Sequence, residues 1–130
     1  MNLDEHINHW INGAERDLTA AENLYNAGNY DWCLFIGHLV LEKTLKAIYI
    51  KENGELAPPK IHDLVKLAKK SNIQLSDERI YFLSKVNDFH IEARYSEYKS
   101  NFYKICNAEY AAENFTKIKE YFEWLKSLLK

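Results

Sequence analysis

Apolar residues recur at steps of three and four along most of this chain, and no stretch of convincing length alternates with a period of two. A repeat near 3.6 puts those positions on one side of a helix, so the pattern predicts an all-α fold. The first helix is expected from about Asp4 to about Ala27. Asp4 serves as its cap, Leu3 as a staple before the cap, and Ile7, Ile11, Ala14, Leu18, Ala21 and Tyr25 form one stripe. Gly28 ends it. The second helix is expected from about Tyr30 to about Asn53. Its apolar residues, among them Trp32, Phe35, Ile36, Leu39, Val40, Leu41, Leu45 and Ile48, cover more than one face, which predicts a central element touched from several sides.

Gly54 closes that helix, and Glu55 to Pro59 must be extended, because a residue before proline is pushed out of the α region. A short third helix is expected over about His62 to Lys70, with Leu64, Leu67 and Ala68 inward. Ser76 caps a fourth, with Asp77 and Glu78 in its first turn, which uses Ile80, Leu83, Val86, Asn87, His90 and Ile91 and fades near Ala93. Arg94 to Cys106 reads as a long, partly ordered connection. The last helix spans about Ala108 to about Leu129, capped by Asn107, with its stripe on Ala111, Phe115, Ile118, Phe122, Leu125 and Leu129. Long helices with short connections predict a four- to five-helix up-and-down antiparallel bundle forming a single domain over residues 1–130.

Composition narrows the function more than the fold. A length of 130 residues with 47% hydrophobic side chains suffices for a core, and a net charge of −2 argues against binding nucleic acid by gross electrostatics. Cys33 and Cys106 belong to no C-x-x-C pair and read as buried thiols in a reducing compartment. Met1 to Trp10 lacks the apolar core of a signal peptide, and no apolar run approaches the roughly 20 residues of a membrane span. The expectation is a cytoplasmic protein away from the membrane, with no cofactor and no metal.

An ordered set of short motifs carries the functional reading. Ala14-Glu15-Arg16-Asp17-Leu18 and Ala21-Glu22-Asn23-Leu24 are followed by Gly28-Asn29-Tyr30-Asp31. Then come Leu41-Glu42-Lys43-Thr44-Leu45-Lys46-Ala47, His62-Asp63-Leu64 after a proline-bearing loop, and Ala93-Arg94-Tyr95. The first half alone also resembles a tetratricopeptide unit. The whole order, from about Trp10 to about Leu128, resembles the HEPN family (higher eukaryotes and prokaryotes nucleotide-binding). That resemblance implies a helical bundle, commonly a homodimer, partnered by a small nucleotidyltransferase in a toxin–antitoxin-like pair, with a nucleotide or RNA as candidate ligand.

Several branches of that family are metal-independent RNases with an arginine followed after four to six residues by a histidine. The pair supplies a cation for the scissile phosphate and an imidazole for proton transfer. This chain departs from the pattern. None of Arg16, Arg79 and Arg94 has a histidine at that spacing, and His90 precedes Arg94 by four. A ribonuclease would have to use Arg94 with His90 or His62. The alternative for Arg94 is a structural or ligand-anchoring role.

The remaining candidates form a polar groove: Glu42, Lys43, Lys46, His62, Asp63, Arg94, Tyr95 and Tyr98. Glu42 and Lys46 stand at i,i+4 in the favourable order, and Glu42 is expected to pair with Lys46 or Arg94. The competing reading of this group is a phosphate or nucleotide groove. His62 and Asp63 read as the start of the short helix, with ligand contact as the alternative. His6 and His9 form half a metal site at most and read as exposed; His38 reads as a core histidine. In some toxin branches a tyrosine just after the RNase histidine is nucleotidylated by the partner. Tyr98 lies in the comparable stretch, without that histidine. The tyrosines around Lys99 and Lys104 favour a protein interface over base stacking.

Overall fold

Asn2 opens the first helix: its side-chain oxygen accepts the Glu5 amide at 2.9 Å, and Asp4 and Glu5 then lie in the first turn, where the helix dipole favours them. The cap is therefore Asn2 and not Asp4, and Leu3 is the first helical residue instead of a staple before it. The computed structural model describes residues 2–130. In chain order it contains α1 (Leu3–Asn26), α2 (Tyr30–Asn53), α3 (Leu64–Lys70), α4 (Asp77–Glu92), α5 (Ser96–Ile105) and α6 (Ala108–Ser127), with no strand among the described residues.

Between α1 and α2 the chain reverses in three residues. Gly28 takes φ 83°, its amide reaches the Tyr25 carbonyl at 3.0 Å, and the Asn29 amide reaches the Leu24 carbonyl at 2.8 Å. These two bonds are the Schellman pattern, and the left-handed residue they require is cheap only for glycine. So short a turn lays α1 and α2 side by side.

The second helix is central, as its all-round apolar pattern predicts: it touches α1, α3, α4, α5 and α6. Cys33, Leu34, Val40, Leu41, Leu45, Ala47, Ile48 and Ile50 are all buried on it. α6 meets it through Ala111, Phe115, Ile118, Phe122 and Leu125, five of the six positions of its expected stripe; Leu129 lies past the helix end. Both thiols are free and buried, and burial pushes each up to about 12, so both stay protonated near neutral pH.

Three further expectations need correction. The third helix begins at Leu64, because Asp63 is its cap, accepting the Val65 and Lys66 amides. The inward face of α4 is Phe82, Leu83, Val86, Phe89 and His90, whereas Ile91 is exposed. Arg94 to Cys106 is not a loose connection but contains α5. That helix is held by one buried ring: Phe102, in contact range of Phe89 at 5.6 Å between centroids. A single apolar anchor among polar neighbours is too weak a periodic signal to read as a helix.

Where α2 and α6 cross, Gly37 permits close approach. A Cβ there would stand 2.7 Å from Ile118 Cδ1, in a fully buried site. Alanine gains about 1 kcal/mol of helix propensity, but overpacking a filled core costs about 1–3 kcal/mol. Gly37→Ala should therefore be neutral to mildly destabilising. In an Ile118→Val background, which lacks the obstructing methyl, the same change should stabilise. Urea unfolding of the four variants measures this, and a coupling below about 0.5 kcal/mol would contradict the steric account.

Candidate functional site

α2 presents His38, Glu42 and Lys46 at successive i,i+4 positions, all buried. Such spacing stacks side chains along one line of a helix. α4 contributes His90 from its last turn, and the segment entering α3 contributes His62. Asn87 locks that segment in place. Its side-chain nitrogen donates to Asp63 Oδ1 at 3.1 Å, and its oxygen accepts the Leu64 amide at 2.9 Å.

The cluster is continuous. Lys46 Nζ donates to Glu42 Oε2 at 3.0 Å, and His62 Nδ1 donates to Glu42 Oε1 at 2.9 Å. His38 Nε2 donates to the His62 carbonyl at 2.9 Å. The His90 ring lies 4.4 Å from that of His38 and 4.9 Å from that of His62, and stacks at 5.6 Å on Phe35. Arg94, just past α4, donates from Nε to the His90 carbonyl at 3.2 Å, with Nη2 3.5 Å from His90 Nδ1. A cavity of about 170 Å³ lined by His62, Asp63, Asn87, His90 and Ile91 opens beside the imidazoles.

Electrostatics place two neutral buried imidazoles, His38 and His90, beside one ionised carboxylate. Burial alone would raise the Glu42 pKa, but hydrogen bonds from Lys46 and His62 outweigh it and hold the carboxyl below its ordinary value. Burial, reinforced by His90, draws His38 down to about 4, and burial with the Arg94 charge lowers His90 as well. Neither histidine therefore adds a positive charge at neutral pH.

Of the expected groove residues, the fold gathers Glu42, Lys46, His62, Asp63 and Arg94 around this centre. Glu42 pairs with Lys46; Arg94 reaches the cluster through His90. Tyr95 adjoins Arg94, its ring 5.4 Å from the guanidinium carbon. Lys43 faces α1 instead, bonded to Asp17 at 2.7 Å, because one position along a helix turns a side chain by about a quarter circle or more. Tyr98 is exposed on α5.

A model of the HEPN domain matches residues 7–128. The chain belongs to the HEPN domain family. TT1696 from Thermus thermophilus has the same fold, with a TM-score of 0.80 at 16% identity over 98% of each chain. ST0689, an archaeal HEPN homologue, gives a TM-score of 0.71 at 19% identity over 95% of this chain and 98% of its own. No curated protein matches the sequence. Two members of this HEPN domain's polar centre escaped sequence reasoning: His38, taken as a core residue, and Asn87, taken as part of an apolar stripe. The only signals were the i,i+4 spacing of His38 to Glu42 and the three-residue spacing of Asn87 to His90.

Proposed function

We propose that this HEPN domain is a binding module that forms a homodimer and associates with a small nucleotidyltransferase, as one half of a toxin–antitoxin-like pair. One observation carries the reading. Among the described residues, five of the eight exposed large apolar side chains fall between Ile91 and Ile105: Ile91, Tyr95, Tyr98, Tyr103 and Ile105. Exposed aromatic side chains gathered on one segment favour association, since tyrosine buries much area at small entropic cost. The same segment borders Arg94 and the histidine cluster, so a partner seated there would cover the polar centre, where a nucleotide or RNA phosphate would meet Arg94.

Light scattering on the purified chain should give a dimer mass, and the triple variant Tyr95→Ser, Tyr98→Ser, Tyr103→Ser should give a monomer with an unchanged helical spectrum. Co-expression with a small nucleotidyltransferase from the same genome should yield a complex that the triple variant loses. A monomeric wild type that captures no such partner would refute the reading.

A second reading, a metal-independent ribonuclease, is favoured by the approach of the Arg94 guanidinium to the His90 imidazole. The family's arginine-then-histidine order is absent, and the two side chains nevertheless meet because they are one helical turn apart. RNA cleavage in EDTA that vanishes in Arg94→Ala would support it; no cleavage by the wild type would exclude it.

A further inference from the structure

We propose that His38, Glu42 and His90 form a binding site for a divalent cation of the zinc class, oriented by His62 and adjoining the cavity that His62 and His90 line. In the sequence only the i,i+4 spacing of His38 and Glu42 hints at this site. Helical spacing sets His38 beside Glu42, and the packing of α4 on α2 brings His90 to them. One ligand atom from each residue lies within 4.8 Å of the others, and all three residues are buried.

The decisive feature is the state of His38. Its Nε2 faces a backbone carbonyl, which can only accept, so Nε2 carries the hydrogen and Nδ1 is left with a bare lone pair. That Nδ1 is buried and has no hydrogen-bond partner. It looks across 3.7 Å at Oε1 of the Glu42 carboxylate. Two electron-rich atoms facing each other out of water are unfavourable unless a cation lies between them. Two ligands of a tetrahedral zinc ion, each about 2.0–2.1 Å from the metal, are separated by about 3.4 Å. The His38–Glu42 edge therefore needs only slight closure, and His90 completes a face of the tetrahedron by drawing inward, which requires its Nδ1 to leave the 3.5 Å contact with Arg94 Nη2.

Two imidazoles to one carboxylate select a borderline ion such as zinc or cobalt over magnesium or calcium, which prefer oxygen. His62 supplies the outer shell. Its carbonyl fixes the tautomer of His38 while its Nδ1–H holds the Glu42 oxygen, and such supports raise ligand basicity and orient the donors. Lys46 on Oε2 and Arg94 beside His90 oppose a cation electrostatically, so binding is expected to be weaker than at a dedicated structural zinc site. Of the three donors His90 lines the 170 Å³ cavity, together with His62, and from that side water or an anionic ligand would complete the sphere.

The test is titration of the full chain, stripped with chelator and dialysed, with cobalt chloride and separately with zinc chloride. Expected are one cobalt ion per chain with visible absorption of tetrahedral type, competed away by zinc, and a rise in melting temperature with zinc. His90→Gln should weaken cobalt binding more than about tenfold with an unchanged far-ultraviolet spectrum. If His90→Gln does not fold, His62→Ala decides, because that side chain is 59% exposed and its loss leaves the core filled; it should weaken binding by about tenfold. His6→Gln with His9→Gln should bind as the wild type does. Absence of cobalt absorption, unaltered affinity in His90→Gln or His62→Ala, or loss of binding in the His6, His9 double variant would each overturn the proposal.

Discussion

Glu42→Ala is expected to cost roughly 3–5 kcal/mol of folding stability. The reason is the company the carboxylate keeps. Lys46 has only 8% of its side chain exposed, and Glu42 is its ion-pair partner at 3.0 Å. Removing the anion leaves an ammonium out of water beside the Trp10 ring, 5.5 Å from its centroid. It also removes the acceptor of His62 Nδ1 and lets the segment entering α3 loosen. The contrast is Asp17→Ala, which breaks the partly exposed pair with Lys43 and should cost about 1 kcal/mol or less. The joint variant Glu42→Leu, Lys46→Met, which removes both charges and keeps the volume, should recover most of the loss. Urea midpoints of the four proteins at neutral pH measure these differences. A Glu42→Ala loss below about 1 kcal/mol would mean that Lys46 reaches water without its partner.

The same contrast separates what the sequence makes legible from what it hides. Along α2, apolar residues on every side announce a helix enclosed by neighbours; Val40, Leu41, Leu45 and Ile48 are buried, while Trp32, Phe35, Ile36 and Leu39 are half-buried and the polar Glu42, Thr44 and Lys46 are buried with the core. In α6 the stripe from Ala111 to Leu125 is written in steps of four and three, and it is the buried face. Helix ends marked by Gly28, Gly54, Ser76 and Asn107 are legible for the same reason: each carries the side chain, or lacks the one, that the local backbone requires. α4 is harder, because Phe82 and Phe89 alternate with Ile80 and Ile91 as candidates for the inward face, and only contact with α5 and α6 decides between them.

The polar centre is legible only in part, because it is assembled from three elements. Glu42 with Lys46 is local and follows from helical spacing. The bond of His62 to Glu42 spans 20 residues and that of His38 to the His62 carbonyl spans 24. Neither leaves a trace in spacing, and both depend on where Asn87 pins the start of α3. A histidine among apolar neighbours reads as core from sequence. Its unsatisfied nitrogen becomes visible only when every neighbour is in place.

Phe89→Ala carries the other large expected effect: a loss of roughly 3–5 kcal/mol, the usual cost of emptying a buried phenylalanine site. Phe89 is 1% exposed and lies between three helices. It sits on α4, its ring 5.6 Å from Phe102 of α5 and 6.2 Å from Tyr110 of α6. The loss should not be spread evenly. α5 keeps one fully buried anchor, Phe102, and that anchor would face the new cavity, whereas α6 remains seated on α2 through Phe115, Ile118, Phe122 and Leu125. Amide exchange should therefore rise first and most over Ser96–Ile105, with α2 and α6 following only global unfolding. Because α5 carries Tyr98 and Tyr103, the variant should also lose the proposed association under conditions where its helical spectrum survives. Uniform exchange across all helices would show that α5 is no weaker than the rest, and that Phe89 acts only as bulk in a shared core. Phe89→Leu, which refills much of the space, should return both the protection of α5 and most of the stability.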